Sequence, residues 1–524
     1  MSFLGKETQI TSSGQALALN TEAISQLAAT IKNGFGPNGA VKLLITPAGE
    51  IRLVKDGLTL LKNIQLAQPG AVLLSNIVTQ QGSDFGDGVT STVILASAML
   101  TKSLEYVYEG IHPQTIIAGL IKKEAEILSS LAQMKIPITE NQETLSQLLL
   151  TTLRSKFSAT QAQSFAEILI SAVKTVTNQD NSVDLKMLEV MKMVNIDSIE
   201  PLRLIKGLVL DHGGRHPMMP KKLQNVFILC TNLSFEYETT EIKSQFYYKN
   251  TREKMAMEVE ERKGLMLRIQ KVIETMQSLA MENQSQNPQF MLITQKGIDQ
   301  YALEVFAKYN VLALRRAKKR NMERLQRLTG CKPVNSLADL TKDAFGFAGS
   351  VREITIGEDK YTFIEKTPFS NTCTLLIQGI SPYQMEYLEA AVKSSLQAVA
   401  KGIADQGSLP GGASIFSKLA GQLKHDASLD DQIATSIWQE ALLTLPKTLT
   451  KNLGYNALQT QAQISSSQHA HPTISTSNGE IVDALESSLL DNYSATANLI
   501  QAALMAATKV LMVDEIIKGG KEVK

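Results

Sequence analysis

Apolar residues at the start of the chain recur with helical spacing. Ile24, Leu27, Ala28 and Ile31 predict a helix over residues 20–33. Phe35-Gly36-Pro37-Asn38-Gly39 then breaks it with strong punctuators in a row. Two short β-type runs, 42–46 and 51–54, flank Pro47-Ala48-Gly49 and predict a hairpin. Lys55-Asp56-Gly57 ends the second strand, and helical patterns dominate from there to about residue 158, the longest over 89–109. From residue 207 to about 233, and again over 290–355, β-type runs (226–229, 291–294, 311–314, 351–356) alternate with helical ones, the signature of an α/β domain. Inside it lies a charged insert, 241–277, whose mostly polar helix pattern predicts a surface arm. After Tyr383 the pattern returns to long Ala-rich helices, interrupted at Leu409-Pro410-Gly411-Gly412-Ala413. A Gln/Ser/His-rich loop is expected over 459–471, and a last helix over 491–517 ending in Gly519-Gly520. Helical patterns at both ends and an α/β pattern between them predict a discontinuous fold in which the termini build one domain.

Composition narrows the classes. A chain of 524 residues is too long for one core. Lys plus Arg (52) and Asp plus Glu (51) nearly cancel, so no overall basic field argues for nucleic acid. Three cysteines, Cys230, Cys331 and Cys373, are widely spaced and odd in number, which fits a reducing compartment and neither a disulfide framework nor a zinc site. No apolar run approaches the ~20 residues that span a bilayer, and the first residues contain no signal-like h-region. The expectation is a soluble, cytoplasmic protein.

The chemistry centres on Gly86-Asp87-Gly88-Val89-Thr90-Ser91. Two glycines around an aspartate allow a tight turn and close backbone approach to a ligand. The helix that starts beyond them would present free N–H groups, a ready phosphate site. Asp87 supplies the carboxylate that a phosphate-bound Mg²⁺ would want. On these residues alone, a capped turn without a ligand is the favoured reading.

Several stretches together resemble the group II chaperonins. Gly36-Pro37-Asn38-Gly39 is similar to that family's phosphate loop, Lys55-Asp56-Gly57 to its Asp-Gly turn, Gly86-Asp87-Gly88 to its metal turn, and Val513-Asp514-Glu515-Ile516 to its C-terminal segment. The middle, notably Gly207-Leu208-Val209-Leu210-Asp211-His212-Gly213-Gly214 and Thr294-Gln295-Lys296-Gly297, resembles one subunit class of the eukaryotic cytosolic member, TRiC. The resemblance implies an α+β multidomain chain. Its segments would be an equatorial ATP-binding domain from 1–143 and 400–524, an intermediate domain from 144–210 and 370–399, and an apical domain over 211–369 with a helical protrusion at about 241–277. It also implies seven paralogous partner subunits in two stacked eight-membered rings, ATP/ADP and Mg²⁺ as cofactors, and unfolded clients such as actin and tubulin. Neither nucleic acid nor membrane is expected as a partner.

By the same resemblance, Gly36 and Pro37 line the phosphates, Asp87 holds Mg²⁺, and Gly86 with Gly88, Val89, Thr90 and Ser91 cradles the triphosphate. Asp56, followed by Gly57, is the candidate for orienting water near the γ-phosphate. Ser155 and Lys156 match the hinge segment that reaches the nucleotide. Gly411 and Gly412 approach its nucleoside side, and Asp491 matches the ribose-contacting acid. For Asp56 and Asp491 a plain helix cap is the competing reading.

Three positions depart from the family pattern. Val89 replaces a threonine, Ala413 replaces a third glycine, and Ser394 stands where the family carries the aspartate that activates water. No Asp or Glu lies within three residues of Ser394. Serine cannot act as that base at neutral pH, and general-base catalysis is typically worth about 10²–10⁴ in rate. ATP binding with weak or absent hydrolysis is therefore expected, against the alternative of a structural ring subunit with a silent pocket. The basic run 315–324 is read either as a salt-bridged helix face or as a positive chamber lining. His212 and His216 are expected to be structural, and His469 and His471 to be surface residues.

Overall fold

The computed structural model describes residues 9–46, 49–138, 142–178, 180, 182–195, 200–236, 251–282, 287–424 and 428–518. Its chain divides into two units, Met1–Ile170 with Asp180–Val183 and Ser381–Lys524, and Ser171–Gln179 with Asp184–Ile380. The first begins with β1 (Gln9–Thr11) and α1 (Ser13–Lys32), which starts earlier than the spacing suggests. The hairpin strands follow as β2 (Lys42–Ile45) and β3 (Ile51–Val54). Residues 47–48 of the expected turn lie outside the described residues. Next come α2 (Gly57–Asn63), α3 (Pro69–Phe85), α4 (Val89–Tyr108) and α5 (Pro113–Gln133), which is one residue longer than α4. The short β4 (Ile136–Pro137) leads into α6 (Gln142–Arg154) and α7 (Ala159–Val176), along which the chain passes into the second unit.

The second unit contains β5 (Leu188–Val194), β6 (Leu202–Ile205), β7 (Gly207–Leu210) and β8 (Lys222–Thr231). There follow α8 (Thr251–Glu282), β9 (Gln289–Thr294), α9 (Gln300–Lys308), β10 (Val311–Leu314) and α10 (Lys319–Thr329). It closes with β11 (Phe345–Ile356), β12 (Asp359–Glu365) and β13 (Cys373–Gly379). Six strands form a mixed sheet in the order β10-β9-β8-β11-β12-β7, and β5-β13-β6 form a second. The alternation of β8, β9 and β10 with helices gives their parallel pairing. One expectation needs correction. Residues 241–250 of the charged insert lie outside the described residues, but the second half of α8 is no surface arm. Leu265, Ile269, Val272, Ile273 and Met276 are buried in this unit's core. Their spacing is that of one helical face, and that apolar stripe outweighs the charges around it.

The chain returns to the first unit with α11 (Pro382–Asp405), β14 (Gly407–Pro410), α12 (Ser414–Gln422) and α13 (Leu429–Asn452). The expected loop at 459–471 is instead largely helix, α14 (Ala457–Ser466). Asn456 caps it by accepting from the N–H groups of Leu458 and Gln459, and Ile464 anchors it in the core. The last elements are β15 (Pro472–Ile474), β16 (Ile481–Asp483), β17 (Leu490–Asn492), α15 (Tyr493–Leu511) and β18 (Ile516–Lys518). The final helix therefore ends short of the expected 517. Residues 516–518 pair as a strand with β1, a long-range contact that overrides local helical spacing.

Helix α4 lies at the centre of this unit against α1, α13 and α15. Val93, Ile94, Leu95, Ala96, Met99 and Leu100 are all buried, so the helix is apolar on nearly every side and belongs inside a bundle. Trp438 on α13 is fully buried and donates its Nε1–H to the Leu120 carbonyl at 3.1 Å. This packing fixes the N-terminal end of α4, where the candidate chemistry lies.

Candidate functional site: a nucleotide-sized cleft

Helix α3 ends at Gly86 (φ +74°), and α4 begins after Gly88 (φ +85°), so Asp87 sits between two left-handed residues that favour glycine. At Gly86 a side chain would strike the Ser394 carbonyl of α11. Gly88 donates its N–H to Asp87 Oδ1 at 2.8 Å, and the Asp87 side chain is exposed. The first N–H groups of α4, on Val89, Thr90 and Ser91, have no intrahelical partners and open onto a cleft of about 760 Å³, a size that suits a nucleotide.

The cleft is also lined by Gly36, Pro37, Asp56, Gly57, Ser155, Lys156, Gly412 and Asp491. Thus residues scattered from 36 to 491 converge on one wall system within the first unit. Gly86, Gly411 and Ser394 lie just behind that wall rather than on it. At Gly411, an added Cβ would come 3.1 Å from Asp491 Oδ1.

Asp56 is both a helix cap and a cleft residue. Its Oδ2 accepts from the N–H and hydroxyl of Thr59, each at 3.2 Å. Asp491 is not a cap. It lies in β17, and its neighbour Asn492 caps α15 by accepting from Ser494 N–H at 3.0 Å. Burial pushes the Asp491 carboxyl up to about 7, and the Asp87 carboxylate adds to the shift.

The three departures have distinct surroundings. Val89 packs its methyls against the main chain at Gly57 and Gly82, so it offers the cleft its N–H alone. Ala413 adopts φ +62°, a left-handed conformation that costs a residue with a Cβ about 1–3 kcal/mol. Ser394 is buried on α11, and its hydroxyl meets the ammonium of Lys156.

Four further residues shape the site, and the sequence reading missed them. Lys55 donates to the Pro37 carbonyl at 2.9 Å, and burial, followed by the Lys156 charge, lowers its pKa. Asn452 donates to the carbonyls of Lys32 and Phe35, both at 2.8 Å, and so pins the loop that carries Gly36. Gln81 donates to the Asp87 carbonyl at 3.2 Å and holds the Gly86-Asp87-Gly88 turn, and the Tyr387 hydroxyl donates to the Lys156 carbonyl at 2.7 Å. Lys55 alone carried a signal, being adjacent to Asp56.

Other sequence candidates lie apart from the cleft. His212 is wedged between Asp211 at 2.8 Å and the Arg316 carbonyl at 3.0 Å. His216 accepts from Met218 N–H, and His469 is exposed. In the basic run, Lys318 pairs with Asp211 at 2.7 Å, and the buried Arg324 pairs with Glu189 and donates to the carbonyls of Lys186 and Leu188. Cys230 and Cys331, distant in sequence, have their thiols side by side in the second unit's core, 2.8 Å apart. Among the described residues no group of three His, Cys, Asp or Glu could hold a metal, and no helix is long and apolar enough to cross a membrane. A cation carried on phosphates needs fewer protein ligands than such a cluster provides, and Asp87 suits that role.

A model of the TCP-1/cpn60 chaperonin family matches residues 27–521. T-complex protein 1 subunit zeta-2 of Homo sapiens is 34% identical over 524 residues, covering 99% of this chain and 98% of the human one. The Mus musculus protein of the same name is 35% identical over 519 residues, covering 98% and 97%.

Proposed function

Because the chain belongs to the TCP-1/cpn60 chaperonin family, we propose that it is an ATP-binding subunit of a hetero-oligomeric, double-ring cytoplasmic chaperonin, with weak or absent hydrolysis of its own. The observation that carries this reading is the convergence of Gly36, Asp87, the start of α4, Lys156 and Asp491 on one nucleotide-sized cleft. Main-chain N–H groups of α4 and the ammoniums of Lys55 and Lys156 would take the phosphates. Asp87 would hold Mg²⁺, which neutralises phosphate charge when bound, and Asp491 would meet the ribose. In the same reading the first unit carries the equatorial domain, the second the apical domain, and from Leu265 onward α8 is apical core rather than protrusion.

Assembly has support of its own. Leu43, Ile45, Ile51 and Leu53 share one face of the β2–β3 hairpin and are 62%, 65%, 41% and 38% exposed. A two-stranded ribbon with an apolar outer face is an aggregation hazard in a lone chain and a docking surface in a ring. Paralogous subunits are the partners proposed for it, and unfolded proteins such as actin and tubulin the clients.

Weak hydrolysis follows from Ser394, which offers no carboxylate to a water. The strained Ala413 favours the second reading, a structural subunit with a silent pocket. Equilibrium binding of ATP separates the two. Magnesium-dependent binding that Asp87→Ala abolishes supports the proposal, whereas no measurable binding would leave the structural reading.

A further inference from the structure

The core of the second unit holds two thiols that the fold brings together across 101 positions of the chain. Cys230 is the last residue but one of β8, an inner strand of the six-stranded sheet, and Cys331 follows Gly330, the left-handed cap of α10. Their sulfurs are 2.8 Å apart, and the residues are 0% and 1% exposed. The main chain holds them there. Val334 donates its N–H to the Cys230 carbonyl at 3.0 Å, and its own carbonyl accepts from Asn232 N–H at 2.8 Å and from the Thr231 hydroxyl at 2.9 Å. Cys331 also lies against Gly346 of β11, where an added Cβ would come within 2.8 Å of its nitrogen. Strand and loop therefore need only a small movement for the two sulfurs to bond.

As core residues, two cysteines do no more than small apolar side chains; what they add is reactivity. The pair is shielded but shallow. Gly330 and Lys332, on either side of Cys331, are exposed, and residues 331–333 have no regular structure. Local opening there, without unfolding of the sheet, admits a small neutral oxidant. With Cys331 ionised, the Cys230 thiol donates to it. That bond holds Cys331 below its ordinary pKa and raises Cys230, to which burial also adds. Cys331 is thus placed as the nucleophile and Cys230 as the thiol that resolves it.

We propose that Cys230 and Cys331 are a modification site, forming a reversible disulfide when the chain meets a peroxide. The Cys331 thiolate attacks one oxygen of hydrogen peroxide, the O–O bond breaks, and hydroxide leaves a sulfenic acid behind. The Cys230 sulfur then displaces the sulfenic oxygen, which departs as water with the Cys230 proton. Two thiols and one peroxide give one disulfide and two waters, the sulfurs losing the two electrons that the peroxide gains. Because the resolving thiol is in contact, the sulfenic acid is captured before further oxidation. The bond ties the loop after α10 to the middle of the sheet.

The test treats the full-length chain with hydrogen peroxide and then unfolds it in a thiol-alkylating reagent. Mass spectrometry of the digest should show a Cys230–Cys331 linked peptide that dithiothreitol removes. Cys373 should be recovered alkylated, because burial pushes its pKa up to about 12 and leaves it a poor nucleophile. Amide exchange over residues 330–334 should slow at least about tenfold in the oxidised chain and recover on reduction. Cys373→Ala should respond as wild type, and Cys331→Ala should leave Cys230 and Cys373 unlinked. Three thiols still alkylated after peroxide, sulfinic acid at Cys230 or Cys331 with no link, or a link through Cys373 would overturn the proposal.

Discussion

The Gln81 side-chain amide donates to the Asp87 carbonyl at 3.2 Å and to the Ala495 carbonyl at 3.1 Å, while its oxygen accepts from Asn498. One buried amide therefore ties the Gly86-Asp87-Gly88 turn to α15, which begins just after β17. Gln81→Leu would leave these groups buried and unpaired. The expected cost is about 2 kcal/mol of stability, with weakened ATP binding because the Asp87 turn is released. Chemical denaturation and ATP titration measure the two effects.

Relief of backbone strain should be visible at Ala413. With φ at +62°, Ala413→Gly removes the Cβ conflict at the start of α12, offset in part by the greater freedom of glycine in the unfolded chain. A net gain of about 1 kcal/mol is expected, read as a higher denaturation midpoint. A loss would mean that this backbone is unstrained.

Asp491 should make the nucleotide-free protein sensitive to pH. Its folded pKa of about 7 lies above the ordinary 3.8, so the folded state holds the proton more tightly than the unfolded chain. Stability from this group is therefore present at low pH and declines as pH rises from near 4 to near 7. Asp491→Asn, always neutral, should be stabilised relative to wild type at pH 8, with the gain vanishing at acid pH. Thermal melts across that range check the sign.

The apolar face of the hairpin should serve assembly rather than folding. Leu43 and Ile45 are well exposed, so Leu43→Asp with Ile45→Asp should leave the melting temperature of the isolated chain nearly unchanged. The same pair should prevent incorporation into a ring, as size-exclusion chromatography of the assembled complex would detect.

How much of this was legible in the sequence depended on how local the cause was. The hairpin strands, the breaker at Gly36-Pro37 and the turn at Gly86-Asp87-Gly88 follow from neighbouring residues, and the structure has them where the pattern puts them. Strand β18 was read as helix because Ile516 and Ile517 continue an apolar spacing, and only its pairing with Gln9–Thr11 makes it a strand. The buried stripe of α8 was visible in the spacing of Leu265, Ile269, Val272 and Met276 but was outweighed by the surrounding charges. Gln81 looked like any polar position on an amphipathic helix, since its partner Ala495 is 414 residues away. Tyr387 was hidden for the same reason, because nothing near it in sequence announces the Lys156 carbonyl.

In the proposed function the site holds ATP and cuts it slowly for want of a carboxylate at Ser394. The direct measurement is ATP turnover of the purified assembly with wild-type chain and with Ser394→Asp, alongside the nucleotide recovered from each. Wild-type sites filled with uncleaved ATP are expected, and in the variant faster turnover with ADP in place of ATP, by up to the ~10²-fold that a general base supplies at the lower end of its range. Equal turnover in the two proteins, or wild-type sites that already hold ADP, would contradict it.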